Sequence, residues 1–502
     1  MFRKLVLALI LAQLALTVAP ALLEAGSQAP VRWSFADFLL FTNWNTTPDG
    51  GAVWFTSSSY LDGWVHTNDE FRFMGAPHFG DTVTCAGRSA WYYNNGDPVE
   101  LADSHNGTLD VPTFARGFVR GVAPIALPAN SYNQQWAALG LDPTNSNAPT
   151  VAQVRWSLGL GAGTTAPPTG VYLPVNPGDG TVSGGIYIQG DADRLIAVAD
   201  TIHHRQEFRV TQGSTTKSVV IDPAAFTVTV AAGSNSTVYT GIPRGVIYVD
   251  GAIHDFGGPG RIGAWIPSAL AGGQQWSVVA TGDVVVQSDF THERFDTGWA
   301  VAGVFSSGGS VRVGSLAPGD VHLEMFVMAT GASGSFAVDG YAAGAPRGGL
   351  YLRGGCSEQY NGAFGTIDSN GYLAHGYTRF FSYDRRGWIP PYWPPAWEQP
   401  LDATAPRAVA AALSLATPYP NPARSSMRIR YTLPRAGRVR LSMFDVLGRR
   451  IDNLVDAIEQ PGEHEASWTR GRVGVARVRA GLYFLQLEAA GARVQSRVVL
   501  LD

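Results

Sequence analysis

Apolar and polar residues alternate strictly near the end of the chain. Met427, Ile429, Tyr431 and Leu433 fall on one face, with Arg428, Arg430 and Thr432 on the other. Val439, Leu441 and Met443 repeat the pattern against Arg438, Arg440 and Ser442. A period of two marks half-buried strands. Pro434–Gly437, and Val446–Arg449 after Asp445, supply turn chemistry between them. The pattern predicts a small antiparallel sandwich over residues 413–502.

Residues 33–397 read differently. No long stretch has a 3.6-residue period, and short apolar runs are cut throughout by Gly, Asn, Asp and Pro, so helix is a minor component. Examples are Ile186–Gln189 after Gly185, Val246–Asp250 after Gly245, and Leu350–Arg353 after Gly349. From residue 247 the runs start about every 25 to 30 residues, which suits the coils of a parallel β-solenoid. The competing expectation is a β-sandwich of hairpins. Parallel pairing at one coil's offset separates the first from the second. Either way the fold class is all-β, and the expected form is a β-solenoid, parallel β-helix-like body with a C-terminal immunoglobulin-like sandwich.

Trp388 to Trp397 is rich in Pro and aromatic residues and favours extended backbone. It either packs its rings against the body or offers an aromatic surface to sugar or peptide. The Ala-rich residues 398–412 read as a linker.

At 502 residues the chain exceeds what one core usually serves, so two or more domains are expected. Residues 413–502 hold 14 Arg against 8 acids, +6, within a chain of net charge −4. The boundary near residue 410 is therefore electrostatic too. These arginines alternate along strands rather than clustering with aromatics, which argues against nucleic acid. Met1 to Lys4 carry positive charge, Leu5 to Val18 are largely apolar, and Ala19, Pro20, Ala21 and Ala25 come next, so residues 1–25 read as a signal peptide. A retained membrane anchor is the competing reading, with no transmembrane anchor expected in the mature chain. Export permits a disulfide between Cys85 and Cys356 but does not require one.

No residue of the sequence is expected to be catalytic, cofactor-binding or metal-binding. HExxH, GxSxG, P-loop and dinucleotide patterns are absent from the sequence, and lysine occurs only at positions 4 and 217. His203 and His204 would point to opposite faces of a strand, away from a shared metal. His66 stands between Asp62 and Asp69, whose carboxylates could orient its imidazole, though the segment equally reads as a strand entered through a Gly turn. Asp191 with Asp193, and Asp103 with His105, Asn106 and Asp110, suggest calcium or Asx turns.

Two families are similar. Residues 413–502 resemble the C-terminal type IX secretion sorting and flagellar-hook-capping-like immunoglobulin domains of exported bacterial proteins. The likeness is carried by Tyr419, Pro420, Asn421, Pro422, Ile429–Leu433, Asp445, Leu447, Gly448, Arg449, Gly462, His464, Trp468, Gly481, Leu482, Tyr483 and Phe484. Thr469–Gly471 and Asp502 depart from the usual pattern. The body resembles bacterial domain of unknown function 4900 over most of residues 35–395. There the matching residues are Phe41–Asn43, Val53–Phe55, Asp62, Gly63, Trp64, Val65, His66, Thr67, Asn68, Gly75, Pro77, Phe79, Gly362–Gly365, Tyr377, Tyr383, Asp384 and Pro390–Pro394, Pro391 included. That resemblance implies no activity.

The expectation is an exported structural or interaction protein without catalytic activity, secreted or held on the outer surface of a Gram-negative-type bacterium. Its partners would be the outer-membrane secretion machinery and a surface polysaccharide or other envelope protein. A carbohydrate-active β-helix enzyme is the first alternative. A minor component of a pilus-like assembly is the second, although the N-terminus lacks the prepilin processing site.

Overall fold

A computed structural model describes residues 32–398, except 95–96, 103–111, 296–297 and 369–371, and residues 414–501 with short interruptions. The expected signal peptide, Asp103, His105, Asn106, Asp110 and nearly all of the linker lie outside the described residues. The described chain is nearly all β, and its α-helices are Tyr132–Ala138 and Val151–Ser157.

The body is organised by one sheet of stacked parallel strands. From Ile186–Gln189 the stack runs through Val246–Asp250, Gln275–Ala280, Val301–Ser306, Phe326–Ala329 and Pro346–Tyr360. Ile186 pairs with Ile247, Val246 with Ser277, Gln275 with Val301, Gly303 with Phe326, and Phe326 with Gly355, all parallel. Beyond Pro346–Tyr360 the next strand is the body's own beginning. Phe38–Trp44 pairs in parallel with it, Leu40 opposite Cys356 and Trp44 opposite Tyr360. Trp64–Thr67, Val83–Cys85 and Phe118–Val119 then continue in the same direction. The chain therefore enters the stack in its middle, builds to one end, crosses to the other end through residues 120–169, and builds back to where it began.

Both faces of this sheet are covered, which is why its strands read as nearly continuous apolar runs rather than alternating ones. Ile247, Val249, Val278 and Val304 face an interior core, whereas Val246, Tyr248, Val279 and Phe305 face outward under Ala137, Ala138 and Trp393. Across the interior core a second sheet stacks Ile253–Gly257, Val284–Val286, Val311–Val313 and Phe336–Val338 in parallel. Its other half, Arg194–Thr240, is an antiparallel meander, so hairpins and parallel pairings share the body.

The expected sealing role suits the aromatic run better than a sugar-binding surface does. Trp393 is buried against Phe305 and Phe326, and a Cβ on Gly303 would strike its ring. Pro395–Glu398 pairs antiparallel with Arg32–Ser34, Arg32 opposite Glu398. Cys85 and Cys356 are free and buried. Two strands lie between theirs in the sheet, which places them roughly 14 Å apart, far beyond a disulfide's reach.

The C-terminal residues form a three-strand sheet, Ser414–Leu415, Ser426–Leu433 and Gly462–Thr469, and a four-strand sheet of Arg450–Glu459, Gly437–Asp445, Gly481–Ala489 and Ala492–Leu500. Every pairing within these two sheets is antiparallel. The alternation read from the sequence is the burial observed: Met427, Ile429, Tyr431, Leu433, Val439, Leu441 and Met443 share one core with Trp468.

Candidate functional site

Most of the body residues singled out in the sequence, Pro391 apart, converge where the first strands of the body meet the last. Asp62 accepts a hydrogen bond from the Tyr383 backbone N–H at 2.8 Å, and Arg385 donates to the Asp62 carbonyl. Tyr383 donates its hydroxyl to the Ala36 carbonyl at 3.1 Å, and burial pushes its phenol well above the usual range. Asp384, 3% exposed, takes both Arg386 Nε and Nη2 at 2.9 and 2.7 Å. Arg386 also donates to the Phe295 carbonyl at 2.9 Å and lies 3.7 Å over that residue's ring. A bidentate buried pair of this kind fixes geometry because neither charge has water to fall back on. Pro391 offers its carbonyl to Ser277 Oγ.

His66 belongs to the same region, but its partners differ from those expected. Neither neighbouring carboxylate orients it: Asp62 is engaged with Tyr383, and Asp69 accepts from Asn45 N at 3.0 Å. The ring instead lies between Thr84 Oγ1 at 2.8 Å and Asn68 Oδ1 at 3.0 Å, stacked on Phe41. Asn68 Nδ2 donates to Asn43 and to the Ile125 carbonyl, which leaves Oδ1 as acceptor and assigns the imidazole proton to Nε2. Burial holds the imidazole neutral, lowering its pKa to about 4. These are strand-anchoring contacts.

Sequence reasoning missed the polar groups beneath this joint. Asn361 donates to Asn45 Oδ1 at 2.8 Å, and both side chains are buried. Asn45 Nδ2 reaches the Glu70 carbonyl at 3.2 Å. Glu358 accepts from the N–H groups of Phe336 and Gly362 at 2.6 and 3.2 Å, and burial pushes its carboxyl up to about 8. Arg379 sits above the Phe364 and Phe381 rings and donates to Asn361. The signal was present as parity: Glu358 falls in step with the inward Leu350, Leu352 and Cys356, and Arg379 with Tyr377 and Phe381.

The remaining candidates divide between a local turn and longer-range braces. His203 and His204 occupy a turn rather than a strand, His203 Nδ1 lying 2.8 Å from Asp200. Asp191 accepts from Ala252 N and Asp193 from Gly213 N, at 2.8 and 2.6 Å, so both carboxylates brace segments distant in sequence rather than closing Asx turns.

In the C-terminal sheets, Asn421 bridges the Arg497 carbonyl and Val499 N–H, both at 2.9 Å. Asp445 accepts from Arg449 N and Nε around the turn. Tyr483 donates to the Arg479 carbonyl at 2.9 Å, Gly481 opens the same strand, and Trp468 is 1% exposed. Tyr419, Pro420, Pro422 and Gly448 lie outside the described residues.

Comparison with protein families finds two matches. Residues 417–501 match the secretion system C-terminal sorting domain, and residues 29–88 match a domain of unknown function, DUF4900. The second match covers Phe41–Asn43 and Asp62–Asn68 but not Tyr383, Asp384 or Pro391. No curated protein and no solved structure matches the chain. The tail marks a secreted or cell-surface protein and implies that the type IX secretion machinery handles it. No helix among the described residues is long and apolar enough to cross a membrane.

Proposed function

We propose that this chain is a non-enzymatic exported protein whose β-solenoid body serves as a structural or interaction module, delivered or anchored by an immunoglobulin-like sorting domain. The observation that carries this reading is the sorting-domain match at residues 417–501. The parallel, coil-by-coil pairing of the body supports the solenoid, and the two antiparallel sheets around one core support the immunoglobulin-like tail. The residues that converge in the body spend their polar groups on its own backbone and on each other, which suits a fastening rather than a reaction centre. A surface polysaccharide or another envelope protein is the partner class this role calls for.

Deleting residues 413–502 tests the delivery role. The body should remain folded and be retained inside the cell envelope. Normal export of the truncated chain would remove the sorting role, and an unfolded body would show one cooperative unit. Glycan-array binding without product release favours this reading over a polysaccharide-cleaving enzyme.

A further inference from the structure

The joint between Phe38–Trp44 and Pro346–Tyr360 is a contact between two pieces of chain that meet only by folding. On one side stands a front block from Arg32 to Ile125. On the other stands the rest of the body. Their mutual surface is specific: parallel backbone pairing from Leu40 to Trp44, the Asn45–Asn361 amide pair, and Asp62 on the Tyr383 N–H. Buried polar pairs of this kind admit one register and penalise others.

The covalent tether between the pieces is short and sharply bounded. Ile125 is tied to the front block through its N–H and carbonyl, both bonded to Asn68, at 2.8 and 2.6 Å. Ser131 is tied to the rest of the body through Ser307 Oγ at 2.9 Å, immediately before the Tyr132–Ala138 helix that covers the outer face. Between these anchors run Ala126, Leu127, Pro128, Ala129 and Asn130, without helix or strand.

We propose that the joint also closes between two copies of this chain, each lending its front block to the other's Pro346–Tyr360 strand. Every contact of the joint is available in the exchanged form, and only the conformation of residues 126–130 changes. Such exchange is a low-cost route to dimers. Closure within one chain is favoured by the tether's effective concentration, so exchange grows with protein concentration. The order of synthesis favours it too, because Leu40 must wait for Cys356 before its strand edge is covered. This inference rests on the strand pairing alone and stands apart from the proposed role.

The test uses full chains in which Cys85 and Cys356 are replaced by alanine, with cysteine introduced only at the register pair Trp44 and Tyr360. Trp44→Cys and Tyr360→Cys chains are unfolded, mixed, refolded and oxidised. A disulfide joining residue 44 of one chain to residue 360 of the other, rising several-fold with a tenfold rise in concentration, is expected. Refolded monomers without that cross-chain bond at every concentration would overturn the proposal. The double variant in one chain should bond internally as a monomer, and its failure to do so would overturn the joint itself. Independently, deleting Leu127–Ala129 should convert the chain as expressed to a dimer by light scattering, whereas a folded monomer would count against the exchange.

Discussion

Gly63 and Tyr383 come from opposite ends of the body and touch: a Cβ added to residue 63 would fall 2.7 Å from the Cβ of Tyr383, and equally close to that of Leu39. Neither neighbour is the free end of a flexible chain. Gly63→Ala should therefore overpack the joint and destabilise the body by about 1–3 kcal/mol. Gly80→Ala is the control, since its nearest neighbour would be 3.4 Å away. Thermal melts of both variants decide the matter, and equal melting temperatures would refute the steric account.

Asp384 and Arg386 are both buried, so removing one strands the other. Asp384→Ala should cost about 3–5 kcal/mol in urea unfolding. The double variant Asp384→Ala/Arg386→Met should recover part of that loss, because no unpaired charge remains. A double variant less stable than the single would show that Arg386 acts mainly through the Phe295 carbonyl and ring.

The buried imidazole of His66 makes stability depend on pH with a definite sign. In the folded chain its pKa is lowered to about 4, whereas the unfolded chain takes up the proton near 6.5. Its contribution is therefore complete above about pH 6.5 and is lost as pH falls toward 4, on the order of 3 kcal/mol in all. His292, lowered to about 3 chiefly by burial, adds a loss of the same sign. His66→Gln should flatten the dependence between pH 6.5 and 4 without abolishing it. Urea midpoints at pH 7, 5.5 and 4 measure this, and an unchanged slope would exclude His66 as a contributor.

Trp468 fills the core between the terminal sheets, and its indole N–H has no hydrogen-bond partner among the described residues. Trp468→Ala should cost about 3–5 kcal/mol, and Trp468→Phe clearly less, since packing rather than a hydrogen bond is lost. Near-ultraviolet circular dichroism and melts of the two variants test the ranking. Equal losses would assign the indole a polar role.

The terminal strands were legible where one face is wet, as in Ser426–Leu433, so burial is written as alternation: Met427 in, Arg428 out. In the body the short runs after glycine were legible, and their spacing from residue 247 is close to the sequence offset between the paired parallel strands. The stacking order was not. Periodicity records that Val246–Asp250 needs a neighbour on each side, but every such strand is apolar on both faces, so nothing local distinguishes one neighbour from another. That Leu40 lies beside Cys356 depends on chain entry in mid-stack. The meander at Arg194–Thr240 was missed as a hairpin series, although its strands carry turn residues at each end. The Val151–Ser157 helix was overlooked despite a readable capping box, Thr150 with Gln153. Among the site residues, Asp62 and Tyr383 were singled out without any sign that they meet. The contacts joining them are long-range and leave no spacing to read.

The antiparallel pairing of Arg32–Ser34 with Pro395–Glu398 has a mechanical consequence. Arg32 lies opposite Glu398, so the chain enters and leaves the body side by side. Tension applied to the body through Arg32 and Glu398 pulls this pair apart like the open end of a zipper. Its hydrogen bonds are loaded one at a time rather than together, and they yield at low force. The stacked strands are shielded until the zipper has opened, which makes this short ribbon the body's mechanical fuse.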